Sequence, residues 1–263
     1  MFTIHFKMTT LPFCERISAQ HIIQDERMAQ GLARLHYMIH QGTIALIYGQ
    51  TGVGKSTLIK LLLNNLAKNQ YHHASIHFTH LKASSLFTLI VHELGETPKH
   101  TKERLFLQIR GKIRKSNLPI ILIIDEAHLL DNDSITDLRL LVSSPLEDSH
   151  TLRLILCGQE GIKRKLKRQS HIDFFQRVCV LYHLNPLTKT QTSSYIDLHM
   201  KSAEASEKIF TQEVKDMIHE YSNGIPRQIN NIATGCLINA CAQNLQQVNL
   251  EILNQTVAEL QFF

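Results

Sequence analysis

No run of apolar residues in this chain of 263 approaches the roughly 18 to 20 needed to cross a bilayer, and the N-terminus lacks a basic segment followed by a long apolar one. The expectation is a chain with no membrane anchor of its own. Five cysteines, Cys14, Cys157, Cys179, Cys236 and Cys241, are scattered and odd in number, with no C-x-x-C pair, so neither a disulfide framework nor a zinc site is indicated. They read as reduced core residues of a cytoplasmic protein. Internal repeats, low-complexity tracts and long disordered linkers are missing too. His72, His73, His77 and His80 lie close together, but a strand with its turns explains them better than metal ligation does.

What is present is enough to fold. With 43% hydrophobic residues, the chain can bury one large core, or a core with a smaller domain attached. A formal charge of +5 and 16 histidines make it mildly basic, which suits nucleic acid or other anionic partners and equally an ordinary cytosolic protein.

The most specific stretch is Gly49-Gln50-Thr51-Gly52-Val53-Gly54-Lys55-Ser56, which fits the pattern G-x-x-x-x-G-K-S/T. It sits between an apolar strand, Thr43 to Tyr48, and an apolar-periodic helix, Thr57 to Ala67. Glycines let the backbone curl so that successive N–H groups and the helix N-terminus point at phosphate oxygens. Lys55 would hold the β- and γ-phosphates of ATP, Ser56 would bind Mg²⁺, and Thr57 closes the set of nucleotide contacts. The bland alternative is a glycine-rich turn without a ligand.

A second pattern agrees with the first. Ile120 to Ile124 is short and apolar enough for a strand buried on both faces, and it ends in Asp125-Glu126-Ala127-His128. In a Walker B arrangement, Asp125 would hold the Mg²⁺ shell and Glu126 would polarise the attacking water. Alone, the same residues could be a strand end with a solvated acid pair. His128 is expected to tune or pack near this pair rather than perform the chemistry. Gln159, after the strand Leu152 to Cys157, can reach the γ-phosphate or the water; otherwise it is a loop amide. Arg177, before the strand Val178 to His183, stands where an arginine finger would reach a neighbouring subunit, and a salt-bridging arginine is the alternative. Gly224-Ile225-Pro226-Arg227 combines a helix end, a proline allowed at the next helix start, and an arginine on its first turn. Arg227 can reach the nucleotide, unless the turn is merely structural.

Periodicity organises the chain into an extended start and helix over residues 1–42, a core over 43–185 and an all-helical segment over 186–263. In the core, strands alternate with helices, which implies a parallel sheet covered on both faces. Thr188 with Gln191 resembles a capping box opening the helical part.

Together these residues resemble the AAA+ ATPases, and the chain looks like the ExeA-like branch that includes transposon target-selecting ATPases, relatives of TnsC and MuB. The likeness runs from His5-Phe6 and Pro12-Phe13 through the two motifs to Gly158-Gln159, Gln176-Arg177, Tyr195-Ile196, Gly224-Ile225-Pro226-Arg227 and Gln228-Ile229-Asn230-Asn231. It implies a P-loop NTPase fold with a small C-terminal helical lid, Mg²⁺-dependent ATP hydrolysis, and a homo-oligomeric ring or filament on double-stranded DNA that recruits a transposase or another protein of its element. ExeA-like members in secretion and envelope assembly act instead through a protein partner, usually with a transmembrane helix and a peptidoglycan-binding segment that this sequence does not show.

One feature favours DNA independently. Lys99, Lys102, Arg104, Arg110, Lys112, Arg114 and Lys115 crowd one segment, opposed there by Glu103, while Leu105, Ile109 and Ile113 keep helical spacing for burial. A second cluster, Lys163-Arg164-Lys165 with Lys167-Arg168, follows Gln159. Such stripes suit phosphate contacts, or are simply solvated helix faces. If DNA threads a ring, the first cluster is the better candidate. No interleaved aromatics point to base stacking.

Overall fold

Five consecutive apolar residues can be buried together only if both faces of their strand are covered. The computed structural model, which describes residues 2–13, 25–67, 69–77, 83–143 and 152–260, places Ile120 to Ile124 in such a strand. The strands are β1 (Ile44–Tyr48), β2 (His72–His77), β3 (Ile120–Asp125), β4 (Leu152–Gly158) and β5 (Val178–His183). All pairings are parallel and the order is β2-β3-β4-β1-β5. The three inner strands are those the sequence makes most apolar. β2 and β5, at the edges, bury only alternate residues, and in β2 the three histidines and Ser75 face water.

Helices α2 (Glu26–Gln41), α3 (Lys55–Asn65), α4 (Ala83–Glu93), α5 (Lys102–Lys115), α6 (Asn132–Ser143), α7 (Gly161–Leu166) and α8 (Ile172–Phe175) connect or flank these strands. Ile44, Leu46, Leu122, Ile124, Leu154 and Leu156 share one buried cluster with Leu86, Ile90, Ile109, Leu138 and Phe174. Each such side chain contributes roughly 1.5 to 3 kcal/mol on leaving water. Where α2 meets α3, a Cβ on Gly31 would lie 2.7 Å from both Leu58 and Tyr182, so close packing there requires glycine.

Contacts divide the chain into two units, one from Arg27–Thr51 and Lys55–Leu184, the other from Met1–Glu26, Gly52–Gly54 and Asn185–Phe263. Helix α2 from Arg27 onward falls in the first of these units. At the expected extended start, Phe2–His5 forms instead a short helix, α1, and Phe6, Met8 and Phe13 after it enter a hydrophobic cluster.

That cluster is built from α9 (Lys189–Ser202), α10 (Gln212–Ser222), α11 (Pro226–Ala242) and α12 (Leu250–Leu260). Thr188 and Gln191 form the expected capping box of α9, the Thr188 hydroxyl accepting from the Gln191 N–H at 3.3 Å and the Gln191 side chain from the Thr188 N–H at 3.0 Å. Gly224, at φ +68°, lets Leu187 N–H reach its carbonyl at 2.8 Å. Only glycine fits, since a Cβ there would lie 2.0 Å from Leu187 O.

His199 ties the N-terminal segment to α9. Its Nδ1 lies 2.6 Å from the Pro12 carbonyl, and its ring packs 5.3 Å from Phe13 and 4.3 Å from Tyr195. A neutral imidazole satisfies this carbonyl by donating Nδ1–H. Burial pushes the His199 pKa down from 6.5 to about 4, outweighing the opposite effect of the Pro12 bond. The neutral ring therefore stabilises the fold fully above the unfolded value, and that stability is lost as pH falls from 6.5 toward 4. Thermal unfolding is expected to lose about 2 to 3 kcal/mol across this range in the wild type, and His199→Leu should remove that part of the pH dependence. Identical pH profiles for the two proteins would contradict this account.

Candidate nucleotide site

The backbone after β1 turns sharply, with Gly52 at φ +84° and Gly54 at φ +105°, values that a side chain would strain. α3 begins at Lys55, and the N–H groups of a helix's first turn, which its own ladder cannot use, are the ones that receive an anion. Lys55 itself is only 7% exposed, and an ammonium is stable there because Nζ donates to the carbonyls of Gly49 at 3.0 Å and Gln50 at 2.8 Å. Thr51 is exposed and Val53 is fully buried.

The carboxylate pair sits at the end of β3. Ser56 Oγ donates to Asp125 Oδ2 at 2.9 Å, across the sheet unit from a residue 69 positions away. The Glu126 N–H donates to Asp125 Oδ1 at 2.9 Å, and His77 Nδ1 is 3.6 Å from Oδ2. Both oxygens of Asp125 are thus held. Glu126 adopts a left-handed conformation, φ 55° and ψ 32°, which is uncommon for a non-glycine residue and ends the strand between the two acids. His128 Nδ1 lies 3.2 Å from Glu126 Oε2 but lacks hydrogen-bond alignment. Burial lowers the His128 pKa, with Lys55 and Lys165 adding to the effect and Glu126 opposing it.

Register brings the third strand in. Tyr48 of β1 pairs with Gly158 of β4, and the Gly49 N–H donates to Gly158 O at 3.2 Å. Gln159 therefore leaves β4 beside the first glycine of the loop, and it is exposed. A Cβ on Gly158 would lie 3.0 Å from the His128 N, so this glycine lets the ends of β3 and β4 approach. Arg177 follows α8, is exposed, and makes no side-chain hydrogen bond or ion pair among the described residues. Arg227 belongs to the helical unit as the second residue of α11; its N–H donates to Gly52 O at 3.3 Å, and its side chain is exposed.

The basic segments differ from their one-dimensional appearance. Lys102 pairs with the buried Asp137 at 2.7 Å and Lys112 with Glu96 at 3.5 Å. Arg110 is half-buried, 5.9 Å from the Phe106 ring. Lys99, Arg104, Arg114 and Lys115 are exposed. In the second cluster, Lys165 donates to the carbonyls of His128 at 2.9 Å and Leu130 at 2.6 Å, and burial lowers its pKa. Neither Asp137 nor Glu96 stood out as a partner in the sequence, because each pairing depends on where separate elements pack.

Ser56, Lys55 and Asp125 fit a nucleotide and a divalent ion. A hydroxyl and a carboxylate 2.9 Å apart are hard oxygen donors of the kind Mg²⁺ takes while keeping waters and phosphate oxygens as its other ligands. Among the described residues no group of three or more His, Cys, Asp or Glu is placed to hold a metal by itself. No helix among them is long and apolar enough to cross a membrane.

Comparison with known proteins agrees with the geometry. Residues 38–166 match the family model described as an AAA domain. General secretion pathway protein A of Aeromonas hydrophila is 28% identical over 255 residues, a match covering 94% of this chain and 46% of that protein. The chain thus spans under half the length of this curated relative. Among solved structures, Cdc6p from Pyrobaculum aerophilum superposes with a TM-score of 0.77 at 16% identity, covering 94% of this chain and 70% of the other. The Aeropyrum pernix ORC1 protein in complex with DNA gives 0.74 at 13%, covering 96% and 70%. The fold is that of the P-loop AAA+ ATPases, with a helical C-terminal region.

Proposed function

We propose that this chain binds ATP with Mg²⁺ and hydrolyses it, and that the bound nucleotide controls assembly of the protein into a ring or filament. The observation that carries the reading is the 2.9 Å hydrogen bond from Ser56 Oγ to Asp125 Oδ2, which joins the end of the glycine loop to the end of β3. Mg²⁺, held through Ser56 and Asp125, would neutralise charge on the phosphates. Lys55 exchanges its loop carbonyls for phosphate oxygens, with Gly49 to Thr57 supplying N–H donors. Glu126 takes the proton of the attacking water, and Gln159 orients that water. Arg177, exposed and unpaired among the described residues, offers its charge to the nucleotide of a neighbouring copy. Arg227 is a further candidate contact to the nucleotide.

In the finer reading, the ATP-bound oligomer forms on duplex DNA in the cytoplasm, marks a target for transposition and recruits a transposase, with hydrolysis serving release. Lys99, Arg114 and Lys115, which are exposed, support it as sequence-independent phosphate contacts, and Lys102, Arg110 and Lys112 lie on the same segment. A second reading has its own support. The likeness to General secretion pathway protein A covers 94% of the chain, and on that reading the ATPase acts through a protein partner of a secretion or envelope assembly.

Binding to a random-sequence duplex with ATP, with ADP and without nucleotide, imaged for rings and filaments, tests the choice. ATP-dependent assembly on DNA is expected. Turnover with no response to DNA would favour the protein-partner reading.

A further inference from the structure

A pocket of about 360 Å³ opens at the C-terminal ends of β1 and β5, lined by Tyr48, Glu160, Lys163, Arg164, Lys167 and His183. Its floor is an aromatic pair, Tyr48 and His183, stacked with centroids 4.7 Å apart and planes 10° from parallel. Three cations from one helix and its following turn converge on it. Lys163 Nζ donates to Tyr48 Oη at 2.9 Å and stands 4.9 Å from that ring. Lys167 lies 5.7 Å from the Phe175 ring, and Arg164 is exposed without an ion pair among the described residues. Glu160 is the one carboxylate in the lining, and it is spoken for by His183, Nε2 to Oε1 at 3.3 Å.

This is an excess of positive charge in a concave surface, where low-dielectric walls strengthen the field and favour an anion. A carboxylate ligand would suit one cation, whereas a phosphate offers oxygens to Lys163, Arg164 and Lys167 together, with the planar guanidinium able to bind two of them. Because Tyr48 and His183 already stack on each other, no base can insert between them. The ligand chemistry that three cations in this lining favour is a phosphate group.

We propose that this pocket binds a phosphate of the duplex DNA backbone, separately from the nucleotide loop. The proposal rests on the DNA reading above and adds a contact that the segment 99–115 does not supply. It also corrects the emphasis drawn from sequence, since that segment spends Lys102 and Lys112 on internal ion pairs. The pocket's position gives it a route to the chemistry. Tyr48 directly precedes Gly49, and Glu160 directly follows Gln159.

The test uses the double variant Arg164→Gln with Lys167→Gln, which leaves Lys163 on Tyr48 and touches no residue of the nucleotide site. Basal ATP turnover should match wild type. In a salt titration of duplex binding, the variant's log–log slope should fall by about one unit, the loss of one phosphate contact. In a parallel measurement on Lys55→Ala, where the loop Lys is removed, inorganic pyrophosphate should shift the His183 imidazole NMR signals, and adding the double substitution should abolish that shift. Tight DNA binding with an unchanged slope and a silent His183 would overturn the pocket while leaving the DNA reading intact. No DNA binding by the wild type, with a His183 response to pyrophosphate, would overturn the DNA source and leave a site for free phosphates. Silence in both would remove both proposals.

Discussion

Glu126→Gln should bind ATP as tightly as the wild type and turn it over about 10²- to 10⁴-fold more slowly, the contribution typical of a positioned general base. The substitution keeps the size of the side chain and the backbone N–H that donates to Asp125 Oδ1 at 2.9 Å, so the Asp125 carboxylate stays oriented. What disappears is the group proposed to accept the proton of the attacking water. His128, 3.2 Å from Glu126 Oε2, cannot substitute readily, because burial and the nearby Lys55 and Lys165 lower its affinity for a proton. If hydrolysis drives release, the variant should also accumulate as a nucleotide-bound assembly. Equilibrium binding of a labelled nucleotide alongside steady-state phosphate release separates the two effects. Turnover at the wild-type rate would take Glu126 out of the role of base.

Lys55→Ala is expected to act one step earlier, reducing ATP affinity by at least about 100-fold, the scale on which a buried charge pair is lost when one partner is truncated. Lys55 is buried and its Nζ is already within hydrogen-bond distance of two loop carbonyls, so its position is set before any ligand binds. The ordering cost of that side chain is therefore met within the fold. Removing it also leaves the Gly49 and Gln50 carbonyls without their donor, which makes circular dichroism of the variant a necessary companion measurement. Unchanged affinity for ATP in a folded variant would sink the assignment of this loop.

Local features were readable from the sequence wherever one element decides them. The strand Val178–His183 and the helix Leu250–Leu260 fall where periodicity put them, and the Thr188–Gln191 cap is a matter of three neighbouring residues. The carboxylates and the glycine loop could be named because their residue types are rare in such patterns. Their meeting, Ser56 on Asp125, could be anticipated only from knowing that β1 and β3 end on the same side of a parallel sheet.

Long-range pairings were not readable. Nothing in Pro12 announces that its carbonyl will meet His199, 187 positions away. Lys102 and Arg164 look alike in a charge run. One is neutralised by Asp137, and the other faces a pocket whose opposite wall comes from β1 and β5. Charge density is a property of sequence, whereas uncompensated charge is a property of the folded surface.

The strand order has a consequence for how the molecule is made. β1 is synthesised early and is apolar throughout, yet its two partners in the sheet, β4 and β5, lie far downstream. Until both have left the ribosome, Ile44 to Tyr48 is an unsatisfied hydrophobic strand with two open edges, the kind of segment that invites aggregation. The glycine loop that follows it cannot take its final shape beforehand, since Gly49 borrows a hydrogen bond from Gly158. A nascent chain that already carries the whole glycine motif therefore still lacks the strand end that its first glycine bonds to.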